Sequence, residues 1–128
     1  MTANIIDDKY ALDQYLELMG NEGPSFIIDL IDSFLDDSVP QLNLLEDSLQ
    51  ENDYFSFRKA AHSLKSSCAI VGANKLATRF TSLEKTFQTE NRLRLRTEVD
   101  SCKTLFSTLS EELTIRKDQL TNALNRHK

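Results

Sequence analysis

The side chain best suited to chemistry in this sequence is His62, in the run Ala60-Ala61-His62-Ser63-Leu64-Lys65-Ser66-Ser67-Cys68-Ala69-Ile70-Val71-Gly72-Ala73. The run reads as one helix with two faces. Phe57, Ala61, Leu64, Cys68 and Val71 recur every three or four residues, the stripe a helix turns toward a core. At ~100° per residue His62 lies roughly 120–140° from the centre of that stripe, with Arg58, Lys65, Ser66 and Ala69 on its side. Gly72 ends the helix, where an achiral residue is favoured just past the last turn. A lone histidine on a soluble helix is ordinarily solvated or hydrogen-bonded. Here the small neighbours leave the imidazole open to a second macromolecule, and Lys65 offers a fixed positive charge one turn away. That combination suits a phosphoryl group held briefly on a ring nitrogen.

The elements that must position this helix follow from the apolar spacing. Ile5 and Ile6 precede a short helix from about Asp8 to Met19, with Leu12, Leu16 and Met19 on one side. Gly20 to Pro24 is a turn. Pro24 or Ser25 opens a long helix through about Leu49, and Pro40 inside it should kink or break it one turn earlier. Its apolar surface from Phe26 to Leu35 is wider than one core stripe needs. Either it meets the N-terminal helix and the bundle together, or Phe26 and Leu30 belong to an apolar docking patch beside His62. Asn52 or Asp53 can cap the His62 helix, which runs from about Tyr54 through Val71.

A fourth helix runs from about Asn74 to Thr89, with Leu76, Phe80, Leu83 and Phe87 inward. The last runs from about Leu93 to Asn125 and carries Val99, Cys102, Phe106, Leu109, Leu113, Leu120 and Leu124. At 1.5 Å per residue it is about 50 Å long against roughly 25–35 Å for its partners, so its end should project, fray or meet something else. Arg92, Arg94 and Arg96 read as a solvated helix start, and His127 as a solvated tail residue. Short loops between these helices predict an all-α, antiparallel up-down-up-down four-helix bundle with an additional short N-terminal helix and a long C-terminal helix. The expectation is one domain over residues 1–128, with its core at about 8–113 and an extended helix or tail at 114–128.

Composition narrows the function. A chain of 128 residues, 40% hydrophobic, can bury one core. Fifteen basic against 20 acidic residues leave a net charge of −5, which disfavours nucleic acid and anionic membranes as partners. No apolar run nears the ~18 residues that span a bilayer, and Met1 to Tyr10 shows no secretory signal. Cys68 and Cys102 fall on apolar sides of different helices and read as reduced core residues, so a cytoplasmic protein is expected, with nuclear access open to it in a eukaryote.

Ala61-His62-x-Leu64-Lys65, followed by Ser66-Ser67, Ile70 or Val71 and Gly72-Ala73, resembles the signature of histidine phosphotransfer (HPt) domains, roughly A-H-x-L-K-G-S/A-x-x-x-x-G-A. Phe34-Leu35-x-x-x-x-Pro40-x-Leu42-x-x-Leu45 resembles that family's preceding helix, and Leu76-Ala77 to Leu83-Glu84 its following one. The likeness covers about residues 5 to 90. One departure is visible: the family's usual Gly after the Lys is Ser66 here, the next smallest polar choice.

The resemblance implies that His62 takes a phosphoryl group from a receiver-domain phosphoaspartate and passes it to another receiver aspartate. Lys65 would stabilise phosphate charge, and Glu84, where the family often has a Glu or Gln, would orient the imidazole. Arg58, Ser63, Ser66, Ser67 and Ala69 would form the docking surface around His62. Receiver domains of response regulators and of a hybrid sensor histidine kinase are the implied partners of a monomeric chain. They would bring Mg²⁺ with them, so this chain needs no cofactor or metal of its own. With three glycines and no P-loop, it reads as a phosphocarrier and not a kinase. A carboxylate-bridged metal bundle would need Glu-x-x-His pairs, but Lys59 and Leu124 stand three residues before the two histidines. A DNA-binding domain conflicts with the acidic balance. A helical adaptor that docks receivers without carrying phosphate remains the alternative.

Overall fold

Local chemistry sets where each helix starts and stops. In the computed structural model, which describes residues 4–89 and 91–126, the elements are α1 (Tyr10–Met19), a single 3₁₀ turn (Gly20–Glu22), α2 (Gly23–Glu51), α3 (Tyr54–Ile70), α4 (Asn74–Thr89) and α5 (Arg92–Arg126). The Asp53 carboxylate accepts the Ser56 N–H at 3.2 Å and opens α3. At its far end Ala73 N–H donates to Cys68 O at 2.8 Å and Gly72 N–H to Ala69 O at 3.1 Å, with Gly72 left-handed at φ +87°. That pair of bonds is a Schellman stop. Asn52, at φ 58°, ends α2 in the same way. His127 lies outside the described residues.

Every element among the described residues is helical, and α2, α3, α4 and α5 close a ring in which each touches its neighbours. Phe57, Leu64, Phe80, Leu83, Leu95 and Leu109 are fully buried between them, each worth about 1.5–3 kcal/mol of transfer free energy. Phe106 of α5 stacks on Phe34 of α2 at 5.3 Å and meets Phe80 of α4 edge-on at 6.5 Å, joining three helices. Asp32, Glu46 and Leu49 of α2 pair with Lys117, Arg96 and Arg92 of α5, so these two helices run in opposite directions. Both cysteines are free and buried, and burial pushes their thiols up to about 12 for Cys68 and about 11 for Cys102.

Three expectations are narrowed or corrected by the structure. Helix α2 runs continuously through Pro40, so of the expected kink or break the break does not occur. Pro40 and Asp36 are both exposed, so the carbonyl that loses its partner to the proline faces water. The arginines at the start of α5 are not merely solvated. Arg92 donates to the Leu49 carbonyl and covers the Phe87 ring at 5.2 Å, while Arg96 holds Glu46 and Asp100. Of the three outcomes open to the end of α5, it takes the last and meets other helices. Leu113 and Leu120 are buried, Arg116 reaches Asp13 of α1 and Lys117 reaches Asp32 of α2, both at 2.5 Å. The partner helix α2, with 29 residues, is also longer than expected.

The α2–α5 ion cluster gives the fold an acid-sensitive seam. The Arg96 guanidinium, and after it the Lys103 ammonium, hold the Glu46 carboxyl down at about 2 against burial that raises it. A group whose folded pKa lies below its unfolded value of 4.5 contributes stability that is complete above 4.5 and lost as pH falls toward 2. Glu46→Gln should therefore cost about 1–2 kcal/mol at pH 7, allowing for partial solvent screening, and much less at pH 3. Urea melts at both pH values measure this; an equal cost at each would exclude the ionic account.

A segment before α1 ties the site's two helices together. The N–H groups of Asp7 and Asp8 both donate to Gly72 O at 3.0 Å. The Asp7 carboxylate accepts from the first two N–H groups of α4, Asn74 at 3.0 Å and Lys75 at 2.8 Å, and so caps that helix from 67 residues away. Ile5 N–H is held by both oxygens of Glu112, at 3.0 and 2.9 Å. Asp7→Ala should lower stability by about 1 kcal/mol, the usual cost of a lost N-terminal cap. A melt indistinguishable from the parent's would show the cap to be idle.

Candidate functional site

Aromatic packing aligns α3 with α4. The Phe87 ring of α4 lies 4.7 Å from Phe57 and 5.3 Å from Tyr54, both on α3. One turn along from this contact, Arg58 comes opposite Glu84, and one turn further His62 emerges at the surface. His62 is exposed, as its position off the apolar stripe predicts. Among the described residues neither ring nitrogen makes a hydrogen bond.

His62, Ser63, Arg58 and Glu84 line one open cavity of about 360 Å³, together with Phe55 and Lys59. The fold thus gathers four of the residues singled out in the sequence and adds two. Phe55 and Lys59 stand seven and three residues before His62, so helical spacing alone could have put them on its face. Phe55 is 76% exposed, an unusual place for a phenyl ring. Glu84 is in the cavity, but its nearest cation partner is the guanidinium: Arg58 Nε lies 3.9 Å from Glu84 Oε2. That separation is an ion pair and not a hydrogen bond. Lys65 is half-buried, and no carboxylate among the described residues pairs with it.

The other candidates are divided. Ser66 and Ala69 are exposed on the His62 side of α3. Ser67 lines a second cavity, of about 120 Å³ between α2 and α3, with Leu30, Phe34, Asp37 and Ile70. Phe26 joins neither. Its ring packs against Tyr15 of α1, centroids 4.8 Å apart. The apolar breadth of α2 therefore divides, Phe26 facing α1 and Leu30 the cavity beside α3.

Chemically the cavity offers an exposed imidazole, two cations and one carboxylate, a setting that attracts an anion and can hold an imidazole proton. No group of three metal-ligating side chains occurs among the described residues. The model of the Hpt domain family matches residues 29–126, from within α2 to the end of α5. The chain belongs to the Hpt domain family. The match takes in the four-helix ring, with His62 on its second member, except for the start of α2 before residue 29. A crystal structure of histidine-containing phosphotransfer protein B (HptB) from Pseudomonas aeruginosa PAO1 is 28% identical to this Hpt chain, covering 99% of it and 100% of the other, with a TM-score of 0.59. No curated relative matches the chain. No helix among the described residues is long and apolar enough to cross a membrane.

Proposed function

We propose that this Hpt domain accepts a phosphoryl group on His62 from a receiver-domain phosphoaspartate and passes it to a second receiver aspartate. The observation that carries the reading is the exposed imidazole in a cavity flanked by Arg58, Lys59 and Glu84. In the forward step a neutral ring nitrogen attacks phosphorus in line. The new P–N bond forms as the acyl P–O bond breaks, and its electron pair returns to the aspartate carboxylate. Such transfer depends on position and charge rather than on covalent machinery. Lys65 neutralises phosphoryl oxygens, and Glu84 orients the imidazole by accepting a hydrogen bond from the ring N–H opposite the phosphoryl group.

The partners are receivers of response regulators and of a hybrid sensor kinase, each supplying its own aspartate and Mg²⁺. The protein is a monomeric cytoplasmic phosphocarrier and not a kinase. Ser63, Ser66 and Ala69 keep the approach to the ring uncrowded, and Leu30 with Ser67 extends the contact toward α2. The test is incubation with a receiver labelled on its aspartate. Base-stable, acid-labile label should move to this chain within seconds to minutes. Receiver binding without label from several receivers would instead favour the docking adaptor.

A further inference from the structure

We infer that Arg58 is a second phosphoryl-binding cation, held by Glu84 until His62 is phosphorylated and exchanged onto the phosphoryl oxygens when it is. The inference rests on the reading of His62 as acceptor and deepens it. Arg58 stands four residues before His62, one turn along the same face of α3, so its side chain can reach a group on the ring. At rest it is paired with the carboxylate that shares the cavity with His62.

The geometry of that pair favours exchange. At 3.9 Å it has no hydrogen bond, and the guanidinium is 63% exposed. Ion pairs of this kind are weak and readily broken. A phosphoryl group offers the planar guanidinium closer, paired hydrogen bonds. Its arrival on the outward ring nitrogen would draw Arg58 off Glu84. The carboxylate is then released just when the phosphorylated imidazole has one remaining N–H to donate. Lys65, three residues after His62, would ground the phosphoryl group from the other side along the helix. Arg58 then supports the phosphohistidine twice, by touching its oxygens and by freeing Glu84 to fix its ring.

The test uses the intact chain charged with phosphoramidate, a small donor that needs no receiver. Two readouts are taken: the lifetime of the phosphohistidine, and the imidazole tautomer from nitrogen-15 spectra of the uncharged protein. Arg58→Ala should shorten the lifetime about three- to tenfold, the scale of one ordinary solvent-exposed hydrogen bond. It should also move the uncharged ring toward a single tautomer as Glu84 is released. Arg58→Lys, which keeps the charge but not the paired geometry, should restore part of the lifetime. The tautomer change should vanish in an Arg58→Ala, Glu84→Ala double variant, which separates an effect through Glu84 from mere loss of charge. Because Arg58 is exposed, its truncation does not threaten folding. Unchanged lifetime and tautomer in Arg58→Ala, with the parent fully charged, would overturn the inference. A parent chain that takes up no phosphate would overturn the acceptor reading instead, and the inference with it.

Discussion

His62→Gln should abolish phosphate uptake from a charged receiver, by a factor of at least about 10³, while receiver binding changes by no more than about threefold. The first figure is a floor because glutamine offers no basic nitrogen: its amide nitrogen is a donor only. Loss of a nucleophile removes the bond-forming step itself, and the residual rate reflects only the donor's own hydrolysis. The second figure follows from exposure. His62 is at the surface and makes no hydrogen bond among the described residues, so its replacement leaves α3 and the core untouched. The exposed side chains around it, Arg58, Lys59, Ser66 and Phe55, are unchanged in the variant. Uptake retained above about a tenth of the parent's would mean that another residue carries the phosphate.

Gly72→Ala should be the most destabilising single-methyl change in the chain, costing about 3–4 kcal/mol and roughly 10 °C in melting temperature. Two effects coincide there. At φ +87° an alanine is strained, and its Cβ would lie 2.2 Å from the Asp8 carbonyl oxygen and 3.0 Å from the Ala11 Cβ. The backbone of the strap must therefore move. With it go the two bonds onto the Gly72 carbonyl and the Asp7 cap of α4. Because α3 and α4 meet at this turn, the registry of Glu84 against His62 should loosen as well. Gly20→Ala is the control. Gly20 has φ +54° but nothing within 4 Å of where an added methyl would sit, so only backbone strain, of about 1–3 kcal/mol, applies. A comparable loss at both positions would show that strain alone decides, and the strap contributes nothing.

How much of this was legible in the sequence differs by range. The helices were, because a 3.6-residue apolar period is a local signal and their caps, Asp53 and Gly72, sit beside them. So was the outward face of His62, by the same period. What failed to show were pairings between distant segments. Nothing near Asp7 announces that it caps a helix beginning at Asn74, and nothing near Arg96 announces Glu46 as its partner. The break expected at Pro40 did not occur because its cost depends on whether the freed carbonyl meets water, which is a tertiary fact. Length alone left the end of α5 to project, fray or meet something else, and the burial of Leu120 and the Arg116 and Lys117 pairs that decide it depend on where α1 and α2 lie. At the site, Glu84 could be placed near His62 by family likeness, but its pairing with Arg58 could not. Phe55 and Lys59 were within reach of helical spacing, yet neither residue type by itself signals a phosphoryl site.

Localising the phosphate tests the central claim most directly. After transfer from a charged receiver, the chain would be digested and mapped by mass spectrometry under alkaline conditions that preserve phosphohistidine. The account predicts a single phosphorylated residue, His62, within the Tyr54–Ile70 helix. Phosphate on His127, the only other histidine in the sequence, or on no histidine at all, would contradict it.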